Sequence, residues 1–436
     1  MKKITRTLTV ILSLILILSA CTPAGTETTQ NATDATTTEE ITTEENTTEG
    51  SAVSTGQTEA STESTEQTEA EPLSPEEQIL AERRDAVVEY MRSLVSVLWR
   101  ATADIEYENH EGDSFVLKAG RIYRGMPYTN AAGTLASFLE YAQSLSEKGV
   151  YVISGITAES LNGAASAARL GNDCSSAVYT SWSQIGASVT CTSTRYMCEK
   201  NGYIKVGEWE SDFSDIRNTP FNSSVVMGEA YAKLQKGDIL VRDGHVMMVV
   251  DVTIQYILIG EIDISKSYVT VLEQTRSRVK SSATYDDPAL GEKVYQIGAV
   301  DAKYTFKGLS NQSYFPYTCK ELIDPSTVPE PYVTDSETTY TADNLLVGTL
   351  STNWSIDAVT ISITDKDSKV VQEATARVRR GRNREFDLQQ FVTDVPGGIL
   401  GKVEPEKLET GQYKCKVVCR LTTGQEFVVR EFEFTK

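Results

Sequence analysis

The chain has 436 residues, with 41 Lys and Arg against 61 Asp and Glu, so its formal net charge is −20 at pH 7. A surface of that sign repels phosphate backbones, which excludes nucleic acid as an expected partner. The balance is not uniform along the chain, because its segments differ sharply in composition.

The first twenty residues predict export from the cell. Lys2, Lys3 and Arg6 precede the apolar run "LTVILSLILILSA", which ends at Cys21. A short basic region, an apolar run and then small residues are typical of a secretory signal peptide, here residues 1–20. The boundary "LSAC" resembles the lipobox of bacterial lipoproteins, which implies lipidation of Cys21 and an anchor on the extracellular face of the membrane. Ordinary secretion with an incidental Cys21 is the alternative.

Residues 21–73 have the composition of a disordered tether. Residues 22–73 contain 17 Thr and 12 Asp or Glu, with no Lys, Arg or aromatic residue. Such a segment cannot bury enough apolar surface to offset its ordering entropy. As a flexible coil it would reach roughly 40 Å, which suits a lipid-anchored protein working in the cell-wall space.

The predicted folded part begins with a helix, in segment 74–110. Ser74 and Glu77 have the spacing of a capping box, and Pro75 stands at the first helical position. Apolar residues then recur at helical spacing, which predicts an N-terminal packing helix. They are Ile79, Leu80, Val87, Tyr90, Met91, Leu94 and Leu98.

The C-terminal part, residues 326–436, has the pattern of a β-sandwich. It follows a proline-rich stretch near residue 330, which predicts an extended connector. Beyond it, apolar residues alternate with polar ones in short runs such as "VTISI" and "YKCKVVCRL". About a hundred residues of such runs, separated by loops, predict an immunoglobulin-like sandwich.

Six cysteines follow Cys21, at positions 174, 191, 198, 319, 415 and 419. Cys415 and Cys419 lie four apart on one predicted strand, roughly 13 Å between Cα atoms, so they cannot pair with each other. Pairing among Cys191, Cys198 and Cys319 stays open. The chain has no C-x-x-C and two histidines, so we expect neither a metal ion nor a cofactor.

The sequence "GNDCSSAVYTSW" places a cysteine at the start of a predicted helix. Val178, Trp182 and Ile185 continue one helical face from Cys174. In the first turn, the helix dipole and free backbone N–H groups stabilise a thiolate, with Asp173 as the N-cap. The alternative is a small buried apolar side chain.

A histidine stands at the start of a predicted strand about seventy residues later. In "KGDILVRDGHVMMVV", the dipeptide Asp243-Gly244 predicts a tight turn, and His245 opens the strand that follows. The other histidine, His110, lies in a polar loop. A lone histidine at a strand start is more often structural than catalytic, but its combination with Cys174 favours catalysis.

The order of these motifs resembles the NlpC-type murein cysteine peptidases, which share a papain-like α+β fold with the CHAP amidases. "RGMPYTNAAG", before Cys174, resembles the "PY..GG" segment of that family, and "YVTVLEQT" resembles the strand that carries a glutamate in CHAP domains. The resemblance covers roughly residues 115–305, within a predicted domain 111–325. It implies that Cys174 is the nucleophile, His245 the general base and Glu273 the residue that orients the imidazole. Because Glu273 and Gln274 alternate on the strand, only one can face His245, and we favour Glu273.

The resemblance also implies how substrate is held. In that family, an aspartate, a serine and a tyrosine bind the free amino end of the peptidoglycan stem peptide; the matching residues are Asp173, Ser175 and Tyr128. The sequence departs from the family in having "DCSS" for "DCSG", in lacking the tryptophan of "PYxWGG", and in an insertion of about forty residues before Cys174.

Five arginines in "RVRRGRNR" stand out in an acidic protein: Arg377, Arg379, Arg380, Arg382 and Arg384. They suggest either a grip on phosphate-rich wall polymers or a solvated loop, and we favour the loop.

Two functions follow from these features. The first is a surface-anchored, monomeric cysteine hydrolase that cleaves peptide bonds, γ-D-glutamyl ones in the first place, in peptidoglycan stem peptides. The second is a catalytically silent lipoprotein that binds the wall or a partner protein, which the missing glycine and tryptophan motivate.

Overall fold

The computed structural model describes residues 73–109, 111–163, 166–190, 192–281, 283–378, 384–392 and 399–436. The predicted signal peptide, Cys21, almost all of the predicted tether, His110 and Cys191 lie outside these residues. Residues Ala70–Lys436 form one compact unit. The described part is a mixed α/β structure of mostly strands in several sheets, with few helices.

The helices are α1 (Pro75–Ser96), α2 (Leu135–Leu139), α3 (Cys174–Trp182), α4 (Ser224–Tyr231), α5 (Arg276–Ser281) and α6 (Phe306–Asn311). The strands before residue 325 are β1 (Leu98–Ala101), β2 (Ile105–Glu108), β3 (Ser114–Leu117), β4 (Ile122–Arg124), β5 (Ala142–Leu145), β6 (Tyr151–Ile153), β7 (Ile204–Lys205), β8 (Ile239–Arg242), β9 (His245–Thr253), β10 (Tyr268–Gln274), β11 (Thr284–Asp287), β12 (Glu292–Gln296), β13 (Gly298–Thr305) and β14 (Phe315–Thr318).

The strands after residue 325 are β15 (Val333–Asp335), β16 (Thr349–Thr352), β17 (Ile356–Asp365), β18 (Val370–Arg377), β19 (Glu385–Asp387), β20 (Ile399–Lys402), β21 (Gln412–Leu421) and β22 (Glu426–Thr435). Strand β15 begins within the predicted proline-rich connector, so part of that connector belongs to a sheet.

Helix α1 begins with the predicted capping box at Ser74, and its apolar face is buried from Val87 onward, whereas Ile79 is exposed. It ends at Ser96, so the rest of segment 74–110 is not helical: strands β1 and β2 occupy it. Helix α1 packs against α3, β10 and β13. Its Arg84 also forms a buried ion pair with Asp238, 2.9 Å apart, just before β8. The helix is therefore integral to the first core.

Two six-stranded sheets organise residues 98–318. One has the order β11-β12-β4-β1-β6-β5, and the other has the order β13-β10-β9-β8-β14-β7. The second is antiparallel throughout. Helix α3 packs against its strands β9 and β10. This arrangement brings the start of α3, the start of β9 and the end of β10 to one place.

The predicted insertion before Cys174 extends the first sheet at its edge. Strand β6 pairs with β1, and β5 pairs with β6. Helix α2, in the same segment, turns toward the C-terminal part, where Ser137 Oγ hydrogen-bonds Asp357 Oδ1 at 3.1 Å.

Residues 333–435 form a five-stranded sheet, β20-β18-β17-β21-β22, and a three-stranded sheet, β15-β16-β19. Both contribute to one core, which contains Leu350 and Phe386 from the smaller sheet and Val359 and Val417 from the larger. The predicted alternation is confirmed: the inward positions of β17 and β21 are buried, including Cys415 and Cys419. Both are free thiols, as are Cys198 and Cys319.

The two described arginines of "RVRRGRNR" have a different role from either prediction. Arg377 is buried, pairs with Glu140 and Asp357, and donates to Ser137 Oγ at 2.9 Å. Arg384 donates to the carbonyl oxygens of residues 186 and 187 at 3.1 and 3.0 Å. They join the two parts of the protein. The prediction of a solvated loop is wrong for Arg377, which is buried in β18, whereas Arg384 is half-buried in a bend. Arg379, Arg380 and Arg382 lie outside the described residues.

Candidate active site

Cys174 is the first residue of helix α3, and its neighbours fix the helix start. Asp173 is the N-cap: its Oδ1 accepts from the backbone N–H of Ser176 at 2.7 Å, and Ser176 Oγ accepts from the N–H of Asp173 at 2.9 Å. This reciprocal pair satisfies two of the N–H groups that a helix start leaves unpaired. Cys174 thus stands at the positive end of the helix dipole, beside the backbone N–H groups of the first turn.

The loop before α3 places Tyr128 next to Cys174. Tyr128 and Asn172 form a parallel β-bridge, and the N–H of Asn172 donates to the Pro127 carbonyl at 3.0 Å. Cys174 lies close enough to the Tyr128 hydroxyl to act on its pKa. Burial, together with the negative charges of Cys174 and Asp173, raises the pKa of Tyr128, so its hydroxyl stays protonated.

A tight turn between β8 and β9 positions His245. Arg242 pairs with His245 across the turn, and Gly244 has φ +83°. That left-handed conformation favours glycine. The N–H of Gly244 donates to Thr194 Oγ1 at 2.9 Å, which fixes the turn. The turn therefore fixes the backbone position of His245 at the start of β9.

The imidazole of His245 lies between Cys174 and Glu273. Nε2 lies 2.8 Å from Glu273 Oε2, and Cys174 lies close enough to the imidazole to act on its pKa. Because Nε2 is engaged by the carboxylate, Nδ1 is the nitrogen left to exchange a proton with the thiol. Glu273 Oε1 accepts from the Tyr304 hydroxyl at 2.9 Å. The structure thus brings the three residues of the predicted triad together.

The alternation of β10 separates Glu273 from Gln274. Gln274 points away from the imidazole and donates through Nε2 to the Met126 carbonyl at 2.6 Å. It fixes the segment that carries Tyr128. Sequence analysis favours Glu273 over Gln274, and the structure places Glu273 on the side of His245.

Electrostatics favour an imidazolium in this site. Burial acts to lower the pKa of His245, but hydrogen bonds and negative charge from Cys174 and Glu273 outweigh it and raise the pKa to about 9. Burial acts to raise the pKa of Glu273, but the hydrogen bond and charge of His245 lower it below its ordinary range. The carboxylate therefore stays ionised beside the imidazole and fixes its orientation.

The predicted substrate residues lie at the same helix start. Asp173, Ser175 and Tyr128 are all buried, and Ser175 Oγ donates to Asp173 Oδ1 at 2.8 Å. The carboxylate that the resemblance assigns to substrate thus also caps α3. A substitution at Asp173 would disturb the position of Cys174 as well as the contact with substrate.

Two tyrosines that sequence reasoning missed complete the surroundings. Tyr304 holds Glu273, and the Tyr314 ring packs edge-on against His245 with centroids 6.5 Å apart. Burial is the main cause that raises the pKa of Tyr314 to about 12. Neither residue carries a local motif: Tyr304 reaches Glu273 through the pairing of β13 with β10, a long-range contact.

Within the described ranges, no three His, Cys, Asp or Glu side chains are arranged to hold a metal ion. None of the helices there combines the length and apolar character that crossing a bilayer requires. No model of a known protein family matches the chain, and no curated protein is significantly similar to it. The geometry of the site therefore carries the functional argument.

Proposed function

We propose that this protein is a lipid-anchored cysteine hydrolase that cleaves amide bonds in peptidoglycan peptides. The observation that carries the proposal is the set Cys174, His245 and Glu273, in which one imidazole bridges a thiol at a helix start and a buried carboxylate. A nucleophile, a base and a group that orients the base form the minimal machinery for acyl transfer by a thiol.

The surrounding architecture supports an assignment to the papain-like α+β fold of the NlpC and CHAP enzymes. Helix α3 carries Cys174 at its first residue and packs on the antiparallel sheet whose neighbouring strands β9 and β10 carry His245 and Glu273. The two sheets after residue 333 enclose one core, which supports an immunoglobulin-like sandwich for the C-terminal part.

The chemistry follows from the positions of the charges. The Cys174 thiolate attacks the carbonyl carbon, and the backbone N–H groups at the start of α3 stabilise the oxyanion. His245 then gives its proton to the leaving amine, so the C–N bond breaks and a thioester remains. Water, deprotonated by His245, attacks the thioester, and the acid leaves as Cys174 is regenerated.

The recognised end of the substrate is proposed from the resemblance and the placement of three polar groups. Asp173, Ser175 and Tyr128 offer a carboxylate, a hydroxyl and a phenol beside Cys174. These groups suit the ammonium of a free amino end. The bond we propose is the amide between γ-D-glutamate and the next residue of the stem peptide.

Muropeptide analysis tests the proposal. Purified crosslinked peptidoglycan is incubated with the full-length protein or with Cys174→Ala, and the soluble products are identified by mass. New products from the wild type that are absent with the variant support the hydrolase and identify the bond. If neither protein changes the wall but both sediment with it, the chain is instead the silent wall-binding lipoprotein.

A further inference from the structure

A cleft of about 520 Å³ opens beside the proposed catalytic centre. Tyr314, whose ring packs edge-on against His245, is part of its wall. Arg242, Arg217 and Phe221 also line it. The cleft and the catalytic imidazole are therefore separated by one aromatic ring.

Arg242 gives this cleft a positive charge, and none of the described carboxylates forms an ion pair with it. Its guanidinium lies over the Tyr314 ring, 5.0 Å from the centroid, and its Nε is buried without a hydrogen-bond partner among the described residues. Arg217 differs, because it forms an ion pair with Asp215 at 3.3 Å. The charge of the exposed Asp243 acts on Arg217. Arg242 also interacts with the Tyr314 hydroxyl, but it is the cation that lines the cleft without a carboxylate partner among the described residues.

The direction of the reaction decides which half of the substrate meets this cleft. His245 must reach the leaving amine to protonate it, so the part of the substrate after the scissile bond lies on the imidazole side. The Tyr314 ring lies 6.5 Å from His245 and 5.0 Å from the Arg242 guanidinium, so the two groups are at most 11.5 Å apart. An extended peptide covers this distance in about three residues.

We propose that this cleft binds the leaving half of the substrate and that Arg242 pairs with a carboxylate of that half, on the residue after the scissile bond or within two residues of it. A guanidinium presents paired donors that match a carboxylate. Phe221, which is 91% exposed, offers an apolar contact to aliphatic carbons of the same residues. The inference rests on the proposed function and adds a specificity: the enzyme selects leaving peptides with a free carboxylate.

Two peptides that differ in one group test this. L-Ala-γ-D-Glu-L-Lys with a free terminal carboxylate, and its terminal carboxamide, are compared by kcat/KM with the full-length protein. A hydrogen-bonded charge pair corresponds to a preference of about 10-fold to 100-fold for the carboxylate. Arg242→Met is expected to abolish this preference by slowing only the carboxylate peptide, and Arg242→Lys is expected to reduce it.

Arg121→Met is the matched control, because Arg121 also lies over a tyrosine ring, that of Tyr295 at 4.6 Å, but does not line the cleft. It should keep the wild-type preference. A preference that Arg242→Met and Arg242→Lys leave unchanged, or equal wild-type turnover of both peptides, overturns the inference while the proposed function stands.

If the wild type cleaves neither peptide, the proposed function fails instead, and calorimetry with Cys174→Ala then decides about the cleft. The carboxylate peptide should bind more tightly than the carboxamide, and Arg242→Met should remove that difference. Equal binding of the two peptides overturns the inference. Thermal unfolding of each variant shows whether a change comes from loss of fold; where Arg242→Met does not fold, Arg242→Lys decides.

Discussion

The substitution Asp357→Ala tests whether the two parts of the protein unfold together. Asp357 is buried where the C-terminal part meets the first part: its Oδ2 accepts from Arg420 Nε at 2.9 Å and lies 3.4 Å from Arg377 Nη1. Its Oδ1 accepts from the hydroxyls of Thr134 and Ser137 at 3.2 and 3.1 Å. A single carboxylate therefore connects two arginines of one part with two hydroxyls of the other.

The magnitude follows from what remains after the carboxylate is removed. Loss of one partner from a buried ion pair costs about 3–5 kcal/mol. Here the lower end is expected, about 3 kcal/mol, because Arg377 and Arg420 both keep Glu140 as a counterion. The hydroxyls of Thr134 and Ser137 also keep their hydrogen bond to each other, at 2.9 Å. The free energy of unfolding should fall by this amount.

Denaturant unfolding measures this loss of stability, with two spectroscopic probes. Trp99, Trp182 and Trp209 lie in the core of the first part, so tryptophan fluorescence reports mainly that part, while far-ultraviolet circular dichroism reports both. Asp357→Ala should shift both transitions together, although the substitution lies in the C-terminal part. The matched control is Lys414→Met, which removes an exposed ion pair with Glu431 and should leave both transitions near their wild-type midpoints.

A loss of less than 1 kcal/mol in Asp357→Ala would refute this reasoning about the interface. A fluorescence transition that stays at the wild-type midpoint while the dichroism transition moves would also do so, because the parts would then unfold independently.

Three further predictions concern the candidate active site. The raised pKa of His245 keeps its imidazole protonated to about pH 9, so the basic limb of the kcat/KM profile should lie near that pH. Glu273→Gln should move this limb to lower pH, because the variant lacks the negative charge beside the imidazole. An unmoved limb contradicts the assignment of Glu273 as the partner of His245. Iodoacetamide should label Cys174, which is 4% exposed, before the fully buried thiols. Peptide mapping by mass measures the order of labelling. If Cys174 is labelled no faster than the buried thiols, the result counts against a reactive thiol. Gly171→Ala should lower the free energy of unfolding by about 1–3 kcal/mol for the φ of +85°, and by more because the added Cβ would lie 2.4 Å from the Pro127 carbonyl oxygen. Thermal unfolding and peptide assays should show that stability and activity fall together. Wild-type values in both would contradict the described loop.

The sequence allowed prediction of features that depend on local chemistry. The capping box at Ser74 is a pattern of a few residues, and the core positions of β17 and β21 follow from alternation. The placement of Glu273 beside His245 required only the alternation along β10 and its pairing with β9. In each case neighbouring residues along one element determine the outcome.

Features that depend on distant pairing could not be predicted in the same way. Tyr304 and Tyr314 reach the site through strand pairing and packing over long stretches of chain, and neither has a local signature. The arginine-rich segment was misinterpreted for the same reason. Charge density in the sequence indicates solvent, but Arg377 is buried because Glu140, far away in the chain, supplies its counterion.

These contacts give the C-terminal part a consequence for the proposed chemistry. Helix α3 carries Cys174 at one end, and farther along it the Tyr179 hydroxyl hydrogen-bonds Ser355 Oγ at 2.8 Å. Just after α3, Gln184 Nε2 donates to the Thr422 carbonyl at 2.9 Å. A thiol must keep its geometry toward the imidazole to within a fraction of an ångström, and a nine-residue helix is too short to hold that position alone. The C-terminal part thus stabilises the helix that presents the proposed nucleophile, so removal of that part should abolish turnover even where the wall is still bound.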